Sequence, residues 1–253
     1  MIIRSEEELK GIKAISDIVA LTLRKMIDYT KIGMSTLEID AYGKTIFDTY
    51  GAVSAPIKDY GFPGNTCISV NNVIAHGIPS QDTILKNGDL INIDVSAELN
   101  GYYSDNGCSF ILGDDIQGLQ PLVDTSKKIL KHAISIISGG TKIADVGKLI
   151  ENQSKNAGYR VIKDLGGHGI GRKLHEDPDG IMNYYVADDK IRRFRKDSVV
   201  AIETFIATKS NHIITAEDGW TLTGDKGGFV AQHEHSLLIT SGKPIILTSL
   251  NGI

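Results

Sequence analysis

The sequence predicts an α/β (α+β) fold in which the second half of the chain repeats the first. Three observations lead to this prediction. Two capped helices open the chain, β-rich segments follow them, and the same order returns after residue 113. No low-complexity segment or linker interrupts the sequence, so we expect one domain over 1–253 made of two related halves, roughly 1–113 and 114–253.

The two opening helices each have a recognisable start and stop. Ser5 and Ser35 each stand three residues before a glutamate, the spacing of a capping box that satisfies free N–H groups at a helix start. Apolar residues at helical spacing follow both boxes. We expect the first helix to end at Gly33 and the second at Gly51.

The strands and the later helices follow in the same order in both halves. Strands are expected at Cys67–Val70 and Val73–Ala75, followed by a central hairpin. In the second half, apolar residues at helical spacing predict helices at 122–137 and 143–158. β-type runs follow at 161–162, 198–208, 229–240 and 245–248. Local repeats agree with a duplication, because NGDLINIDVS resembles KDSVVAIETF and AHGI resembles GHGI.

The central hairpin covers 91–110 and carries an aspartate on each arm. Its turn signal is Asn100-Gly101, with Asp94 on one side and Asp105 on the other. A two- or four-residue loop places both carboxylates on one face, directly opposite or one diagonal apart. Like charges buried side by side are unfavourable unless a cation lies between them. The hairpin therefore predicts a site for one or two metal ions.

Three further residues fit a site for two metal ions. His168 lies in a Gly-rich bend, Glu203 ends the apolar run VVAIE, and Glu234 lies in FVAQHEHSLLI. Four carboxylates and one imidazole suit Mn, Fe(II), Co or Zn better than a thiolate-rich structural zinc site does. Two such ions lower the pKa of bound water towards about 7 and so generate a nucleophile.

Ordinary structural roles are the alternative for each of these residues. A single acid on a strand is more often an edge residue or an ion-pair partner, and the histidines at 132, 212, 233 and 235 fit surface or core roles. The metal prediction depends on four apolar strands that each carry one acid, because burying four unpaired carboxylates would be too costly. His76 and His175 could hydrogen-bond an oxyanion or a peptide nitrogen, or could be structural residues of bends.

Composition excludes several other classes of protein. A net charge of −4 gives no reason to expect a nucleic-acid or membrane-surface protein, and no apolar run approaches the roughly 20 residues of a membrane span. The first ten residues include three glutamates where a signal peptide would need a long apolar core. Two cysteines are too few for a disulfide framework. We expect a cytoplasmic protein with no DNA or membrane partner.

The quoted segments, read in order, resemble a known enzyme family. GFPGNTCISVNNVIAHGIP, GDLINIDVSAELNGYYSDNG, GGHGIGRKLHEDP, VVAIETF and DGW followed by FVAQHEH are similar to the motifs of type I methionine aminopeptidases over almost the whole chain. The resemblance implies a pita-bread fold, with pseudo-two-fold duplicated helices on a curved antiparallel β-sheet. It also implies a single catalytic domain that removes the initiator methionine of nascent polypeptides when the second residue is small.

The resemblance also implies specific roles for residues. The metal ligands of the family fall on Asp94, Asp105, His168, Glu203 and Glu234, holding two divalent ions (Co, Mn, Fe(II) or Zn). His76, His175 and Glu203 are the implied catalytic residues, with Glu203 shuttling protons. The residues implied to contact the substrate are His76, His175, Phe62, Cys67, Leu174 and Trp220.

The chain departs from the family pattern at a few positions. Thr204 stands where proline is usual, Asn106 where a small residue is common, and Asp59-Tyr60 where Tyr-His is usual. The first departure concerns the backbone after Glu203, and the last concerns the rim of the methionine pocket. Only 34 residues separate His168 from Glu203, which leaves no room for the long insertion of type II enzymes.

Two other functions stay open from the sequence. An Xaa-Pro aminopeptidase or prolidase of the same fold would share all five ligands, although such enzymes usually carry a further N-terminal domain. A non-catalytic pita-bread binding protein would have lost its ligands, and the five intact candidates argue against it. The basic segment KIRRFRK (190–196) could contact ribosomal RNA, but a solvated loop face is the favoured interpretation. We expect a monomer.

Overall fold

The computed structural model describes residues 1–187 and 191–253 and confirms the fold class expected from the sequence. Lys190, the first residue of the basic segment, lies outside these ranges. The helices are α1 Glu6–Tyr29, α2 Thr36–Tyr50, α3 Ala55–Tyr60, α4 Gln120–Ser135 and α5 Ile143–Asn156. Of the helices described, none has the length and apolar character needed to cross a membrane.

The strands make one large antiparallel sheet and one small one. In chain order they are β1 Val53–Ser54, β2 Cys67–Val70, β3 Val73–Ala75, β4 Leu90–Leu99, β5 Tyr102–Ile111, β6 Arg160–Val161, β7 Gly166–Gly169, β8 Glu176–Met182, β9 Val199–Ala207, β10 Ile213–Thr215, β11 Leu222–Gly224, β12 Val230–Leu238 and β13 Ile245–Ile246. The large sheet has the order β1-β4-β5-β12-β9-β7-β8, and β2, β6 and β13 pair with β4, β9 and β12. Strands β10, β11 and β3 form the small sheet.

The two long helix pairs cover one face of the large sheet. Helix α1 packs on β4 and β5, and helix α4 packs on β9 and β12. Ile93 and Val95 of β4 share a core cluster with α1, whereas Ala231 and Leu237 of β12 share one with α4. Side chains alternate along a strand, so the intervening residues of β4 and β12 point to the face that α1 and α4 leave open. The candidate ligands of these strands lie on that open face.

Three helices end earlier than the sequence predicted. Helix α4 ends at Ser135, two residues before the end of the expected range 122–137. Helix α1 ends at Tyr29 rather than at Gly33, because Thr30 turns into an extended conformation and its hydroxyl donates to the Met26 carbonyl (2.7 Å). Helix α5 ends at Asn156, before the glycine expected to stop it. The expected strands of the second half exist but are displaced or shortened by one or two residues at most ends.

Two elements differ in kind from the expectation. The segment around His168 is strand β7 rather than a bend, and its glycines let neighbouring backbones approach. A Cβ on Gly167 would lie 2.3 Å from the Ala201 carbonyl oxygen of β9. Helix α3 occupies a region expected to contain only strands. The Ser54 hydroxyl accepts from the Ile57 N–H (3.3 Å) at its start, and a proline in its first turn favours the helix.

Both expected N-cap serines open their helices, but of the two expected capping boxes only the second is formed, because the Glu8 carboxylate accepts from the Arg4 N–H (2.7 Å). The Ser35 hydroxyl accepts from the Glu38 N–H (3.2 Å), while the Glu38 carboxylate accepts from the Ser35 N–H (2.7 Å). At α1, the Ser5 hydroxyl accepts from the Glu8 N–H (3.2 Å). The order of two helices followed by strands occurs twice along the chain. The boundary between related halves at residue 113 stays a prediction.

Replacing Ser35 should measurably weaken the fold. Ser35→Ala removes the oxygen that accepts the Glu38 N–H, so we expect the free energy of unfolding to fall by about 1 kcal/mol. Urea denaturation followed by circular dichroism measures the change. Ser135→Ala, at an exposed hydroxyl late in α4, is the control and should change stability by less than about 0.5 kcal/mol. Equal effects of the two substitutions would contradict the capping role.

Candidate functional site

Five neighbouring strands of the large sheet each carry one of the five expected metal ligands. Asp94 lies on β4, Asp105 on β5, Glu234 on β12, Glu203 on β9 and His168 on β7. These strands are consecutive in the sheet order. All five side chains line one cavity of about 420 Å³ on the open face. Residues separated by up to 140 positions in the sequence are thus brought together by strand pairing alone.

Strand register fixes how the four acids face one another. Asn100 and Gly101 both have positive φ (53° and 80°), so the hairpin turns in two residues and Ser96 pairs with Asp105. Asp94 then lies one diagonal from Asp105, which is one of the two arrangements expected. Across β9 and β12, Glu203 and Glu234 are direct partners. The same pairing rule therefore puts two pairs of carboxylates on one face.

The centre of the cluster has the chemistry of a divalent-metal site. Possible ligand atoms of Asp105, His168 and Glu234 all lie within 4.8 Å of one another, and His168 Nε2 is 3.9 Å from an Asp105 oxygen. Among the described residues, Asp105 Oδ1 and Glu234 Oε1 are buried without a hydrogen-bond partner. Such atoms are costly unless a cation neutralises them. Carboxylate oxygens and imidazole are the donors that first-row divalent metals accept.

Gln232 orients two of the acids and was not recognised as a site residue from the sequence. Its Nε2 donates to Glu234 (3.1 Å) and to Glu203 (3.4 Å), and its Oε1 accepts from Asn92 Nδ2 (2.8 Å). Gln232 precedes Glu234 by two residues on a buried strand, so both point to the same face. That spacing is the signal by which the sequence could have revealed it.

Burial and mutual repulsion favour the protonated forms of the acids in the protein without bound metal. Burial raises the pKa of Asp94 to about 6 and, together with the Asp94 charge, that of Glu203 to about 8. The pKa values of Asp105 and Glu234 are raised well above their usual range, by burial and by the neighbouring carboxylates. Burial lowers the pKa of His168 to about 3. A metal ion therefore has to displace protons from this site.

The two candidate catalytic histidines lie in the same cavity. His76 follows β3 with a positive φ of 53°, and His175 follows the loop after β7. The His175 ring packs against the His168 ring with centroids 4.2 Å apart. Burial lowers the pKa of both His76 and His175, which favours neutral imidazoles. Tyr60, which the sequence marked only as a departure, places its Oη 2.6 Å from His175 Nδ1.

The remaining wall of the cavity is mainly apolar and includes every residue expected to contact methionine. Phe62 and Trp220 meet edge to face, with ring centroids 5.4 Å apart, and both line the cavity. Cys67 and Leu174 line it too, and burial keeps the pKa of the Cys67 thiol well above its usual range. Phe205 was not singled out from the sequence, although it lies two residues beyond Glu203 on the same face of β9.

The other histidines do not line the cavity, and each has a hydrogen-bond partner of its own. The ring Nδ1 of His132 is hydrogen-bonded to Gln153, and that of His212 to Asp164. The ring Nδ1 of His233 is hydrogen-bonded to Ser126, and that of His235 to Thr248. This agrees with the ordinary surface and core roles expected for them.

Two departures from the family pattern also have structural explanations. The register of β9 continues through Thr204, whose hydroxyl bonds the Ser126 hydroxyl of α4 (3.0 Å). The Asn106 amide donates to the carbonyls of Val19 (3.3 Å) and Val95 (3.1 Å) on the helix-covered face. Neither substitution disturbs the strand that carries the neighbouring acid.

Comparison with known proteins relates this geometry to metallopeptidases. A model of the family described as Metallopeptidase family M24 matches residues 10–241. Methionine aminopeptidase 2 of Bacillus subtilis (strain 168) is 46% identical over 250 residues, which are 99% of this chain and 100% of the relative. A crystal structure of methionine aminopeptidase from Thermotoga maritima superposes with a TM-score of 0.92 at 32% identity, covering 98% of this chain and 99% of that one.

A more distant likeness concerns the fold alone. The prolidase from Pyrococcus horikoshii OT3 superposes with a TM-score of 0.76 at 20% identity, covering 98% of this chain but 63% of that chain. Together with the Thermotoga structure, this likeness confirms the pita-bread fold expected from the sequence.

Metal binding should depend steeply on pH. The folded pKa values of Asp94 and Glu203 exceed their unfolded values, so the folded protein without metal holds extra protons and loses stability as pH rises from about 5 to 8. A bound ion replaces those protons. We therefore expect the rise in melting temperature on adding MnCl₂ to be larger at pH 8 than at pH 5.5, by about 5 °C or more.

Thermal unfolding with chelator and with MnCl₂ across this pH range measures the effect. Glu234→Gln is the control, because it removes one buried acid while keeping the side-chain shape. Its melting temperature in chelator should fall less as pH rises. A metal-induced gain that is equal at pH 5.5 and pH 8 in the wild type would contradict proton displacement.

Proposed function

The chain belongs to metallopeptidase family M24, and we propose that it is a metal-dependent methionyl aminopeptidase. Such an enzyme is a hydrolase that removes methionine from the N-terminus of polypeptides. The single observation that carries the proposal is the convergence of four acids and one imidazole, from five adjacent strands, beside an apolar cavity wall. The relatives named methionine aminopeptidase match the chain over nearly its whole length. The proposed substrates are nascent chains whose second residue is small.

The metal centre is assigned to the five clustered residues. Asp94, Asp105, His168, Glu203 and Glu234 would hold two divalent ions, with Co, Mn, Fe(II) and Zn as candidates. When bound, the ions polarise a peptide carbonyl and lower the pKa of water. The unpaired oxygens of Asp105 and Glu234 support a cation at the centre of the cluster.

The apolar wall is assigned to the methionine side chain. Phe62 and Trp220 present ring edges and faces, and Cys67 and Leu174 add small apolar surfaces beside them. A thioether packs favourably against aromatic rings, and its flexible chain fits an irregular pocket. The free α-amine of the substrate would then lie next to the carboxylates. This arrangement supports cleavage after the first residue rather than within a chain.

The polar residues are assigned the proton transfers. Water adds to the first peptide carbonyl carbon and gives a proton to the Glu203 carboxylate. His175 donates an N–H to the carbonyl oxygen, where negative charge develops, and His76 contacts the peptide nitrogen. Glu203 then passes its proton to that nitrogen as the carbon–nitrogen bond breaks. The products are methionine and a shortened chain with a new α-amine.

The alternatives have weaker support. The likeness to a prolidase is limited to the fold, whereas the relatives named methionine aminopeptidase match in sequence over the full length. A non-catalytic binding protein would have no need of five convergent donors in a buried cluster. Because the proposed substrates are nascent chains, the cytoplasm is the proposed location of the protein.

Ribosome contact and the monomeric state stay predictions. Within the basic segment, Arg192 donates to the carbonyls of Asp179 (2.6 Å) and Gly180 (3.0 Å), and Arg193 donates to the carbonyl of Gly140 (2.6 Å). These bonds support a structural role for part of the segment. Arg193, Arg195 and Lys196 are exposed, which agrees with the solvated loop face favoured from the sequence.

Assays with short peptides should distinguish a methionyl aminopeptidase from a proline-specific peptidase. The metal-loaded protein should release methionine from Met-Ala-Ser with a kcat/KM at least about 100-fold above that for Met-Leu-Ser, and it should leave Ala-Pro-Ser uncut. Chromatography of the released amino acid measures both. The metal series Mn, Co, Fe(II) and Zn, each added to chelator-stripped protein, tests the requirement for an ion. Efficient release of alanine from Ala-Pro-Ser would instead favour the proline-specific alternative.

Removing His168 should abolish turnover without unfolding the chain. His168→Ala takes away the single imidazole of the cluster, so we expect kcat/KM for Met-Ala-Ser to fall at least about 1,000-fold and bound metal to decrease. Metal analysis, circular dichroism and peptide assays measure the outcome. His132→Ala, on the exposed face of α4, should match the wild type. A His168→Ala protein with normal metal content and activity would refute the assignment.

A further inference from the structure

Helix α3 presents one tyrosine to a catalytic histidine across the cavity mouth. Tyr60 is the last residue of α3 and is 50% exposed, yet its hydroxyl lies 2.6 Å from His175 Nδ1. Within the described parts of the chain, this is the only hydrogen bond of the Tyr60 hydroxyl and of the His175 ring. The bond therefore decides which way the imidazole is held, in addition to its packing against His168.

The tyrosine side of this bond is rigidly anchored. Asp59, next to Tyr60, accepts from the Tyr103 hydroxyl (2.9 Å), and Lys58 pairs with Glu98 (2.7 Å). Both partners belong to the β4–β5 hairpin that carries two of the acids. Gly61 then ends α3 in the left-handed region (φ 71°). Helix α3 is thus fixed on the hairpin that carries two of the proposed metal ligands.

The histidine side is anchored through its backbone. The Tyr103 N–H donates to the Gly171 carbonyl (2.8 Å), and the Ile170 N–H donates to the Val199 carbonyl (3.2 Å). The Glu176 carboxylate, directly after His175, accepts from the Lys173 N–H (2.9 Å). These contacts hold the backbone of the loop, whereas the imidazole itself is held by its packing against His168 and by the bond to Tyr60. Tyr60 is the group that restrains the ring by a directional bond.

The direction of the Tyr60–His175 hydrogen bond decides where the hydrogen of a neutral imidazole lies, and the positions of the two atoms allow either group to donate. A neutral imidazole carries hydrogen on one ring nitrogen and offers the other as an acceptor. Burial and the charges of Asp59, Asp179 and Asp105 raise the pKa of Tyr60, so the phenol keeps its proton. When that O–H donates to Nδ1, the ring hydrogen has to be on Nε2. The nitrogen that remains available to a substrate is then a donor.

We propose that Tyr60 is a positioning residue that acts through His175, holding the imidazole in the orientation and tautomer in which Nε2–H can donate to the substrate carbonyl oxygen. The proposal rests on the aminopeptidase function proposed above and adds a residue to its machinery. Tyr60 stands at a position where the chain departs from the motif of the resembling family. On this proposal, the departure at Tyr60 affects the reaction step through the tyrosine hydroxyl, in addition to the shape of the pocket rim.

Tyr60→Phe removes the hydroxyl and keeps the ring. We expect kcat for Met-Ala-Ser to fall about tenfold, with KM changed less than twofold and the melting temperature within about 2 °C of the wild type. Tyr50→Phe removes an equally exposed hydroxyl at the end of α2 and is the matched control. It should leave both constants unchanged. A Tyr60→Phe enzyme with the wild-type kcat would overturn the proposal.

A double-mutant cycle separates action through His175 from direct contact with the substrate. In a His175→Ala background, Tyr60→Phe should cost nothing further, because the group through which it acts is gone. An equal fractional loss in both backgrounds would overturn the proposal. Nitrogen-15 NMR of the zinc-loaded protein with labelled histidine provides a readout besides activity, with His175 assigned from the spectrum of the His175→Ala variant.

The NMR measurement also keeps this proposal distinct from the proposed function. In the wild type, His175 should show a protonated Nε2 and an unprotonated Nδ1, and Tyr60→Phe should shift the ring towards a mixture of the two tautomers. Unchanged nitrogen shifts in Tyr60→Phe would overturn the coupling. If the wild type releases no methionine, the proposed function fails, whereas the tautomer shift still reports whether Tyr60 controls His175.

Discussion

Several carboxylates are buried together on one face of the large sheet, and this burial limits how the protein can be stabilised. Asp105 and Glu234 are buried with oxygens that lack partners among the described residues, and Asp94 and Glu203 lie beside them. Such a group is unfavourable without a cation, because charges lose hydration and repel one another. The fold therefore has to provide most of its stability elsewhere. It does so on the opposite face, where α1 and α4 pack on the same strands.

The site lies where strands from the two parts of the chain meet. β5 pairs with β12 at the centre of the sheet, so the hairpin carrying two acids is joined to the strand pair carrying the other two. β7 then brings the imidazole next to β9, which is feasible because Gly167 has no side chain to strike the neighbouring backbone. Catalysis thus depends on strand register, since a slip by one residue would turn an acid to the helix-covered face.

Much of this site could be predicted because its signals are local. The hairpin turn and the two-residue alternation of β4 and β5 place Asp94 and Asp105 on one face, and the structure has that diagonal arrangement. The signals failed where contacts between distant segments decided the outcome. A Gly-rich segment suggests a bend, but pairing with β8 and β9 on both sides makes it a strand. The bond of Tyr60 to His175 joins residues 115 positions apart and leaves no local pattern.

The sequence by itself determined the fold class, the family resemblance and the residue types of the site, because strand alternation, capping residues and motif spacing are properties of short segments. The protonation and the orientation of those residues, in contrast, depend on the folded chain. Burial raises the pKa of Glu203 and lowers that of His168, and both shifts depend on neighbours supplied by other strands. Tertiary structure also decided that α3 presents a phenol to His175. Electrostatic and hydrogen-bonding environments are made by segments distant in sequence, so they exist only once the chain has folded.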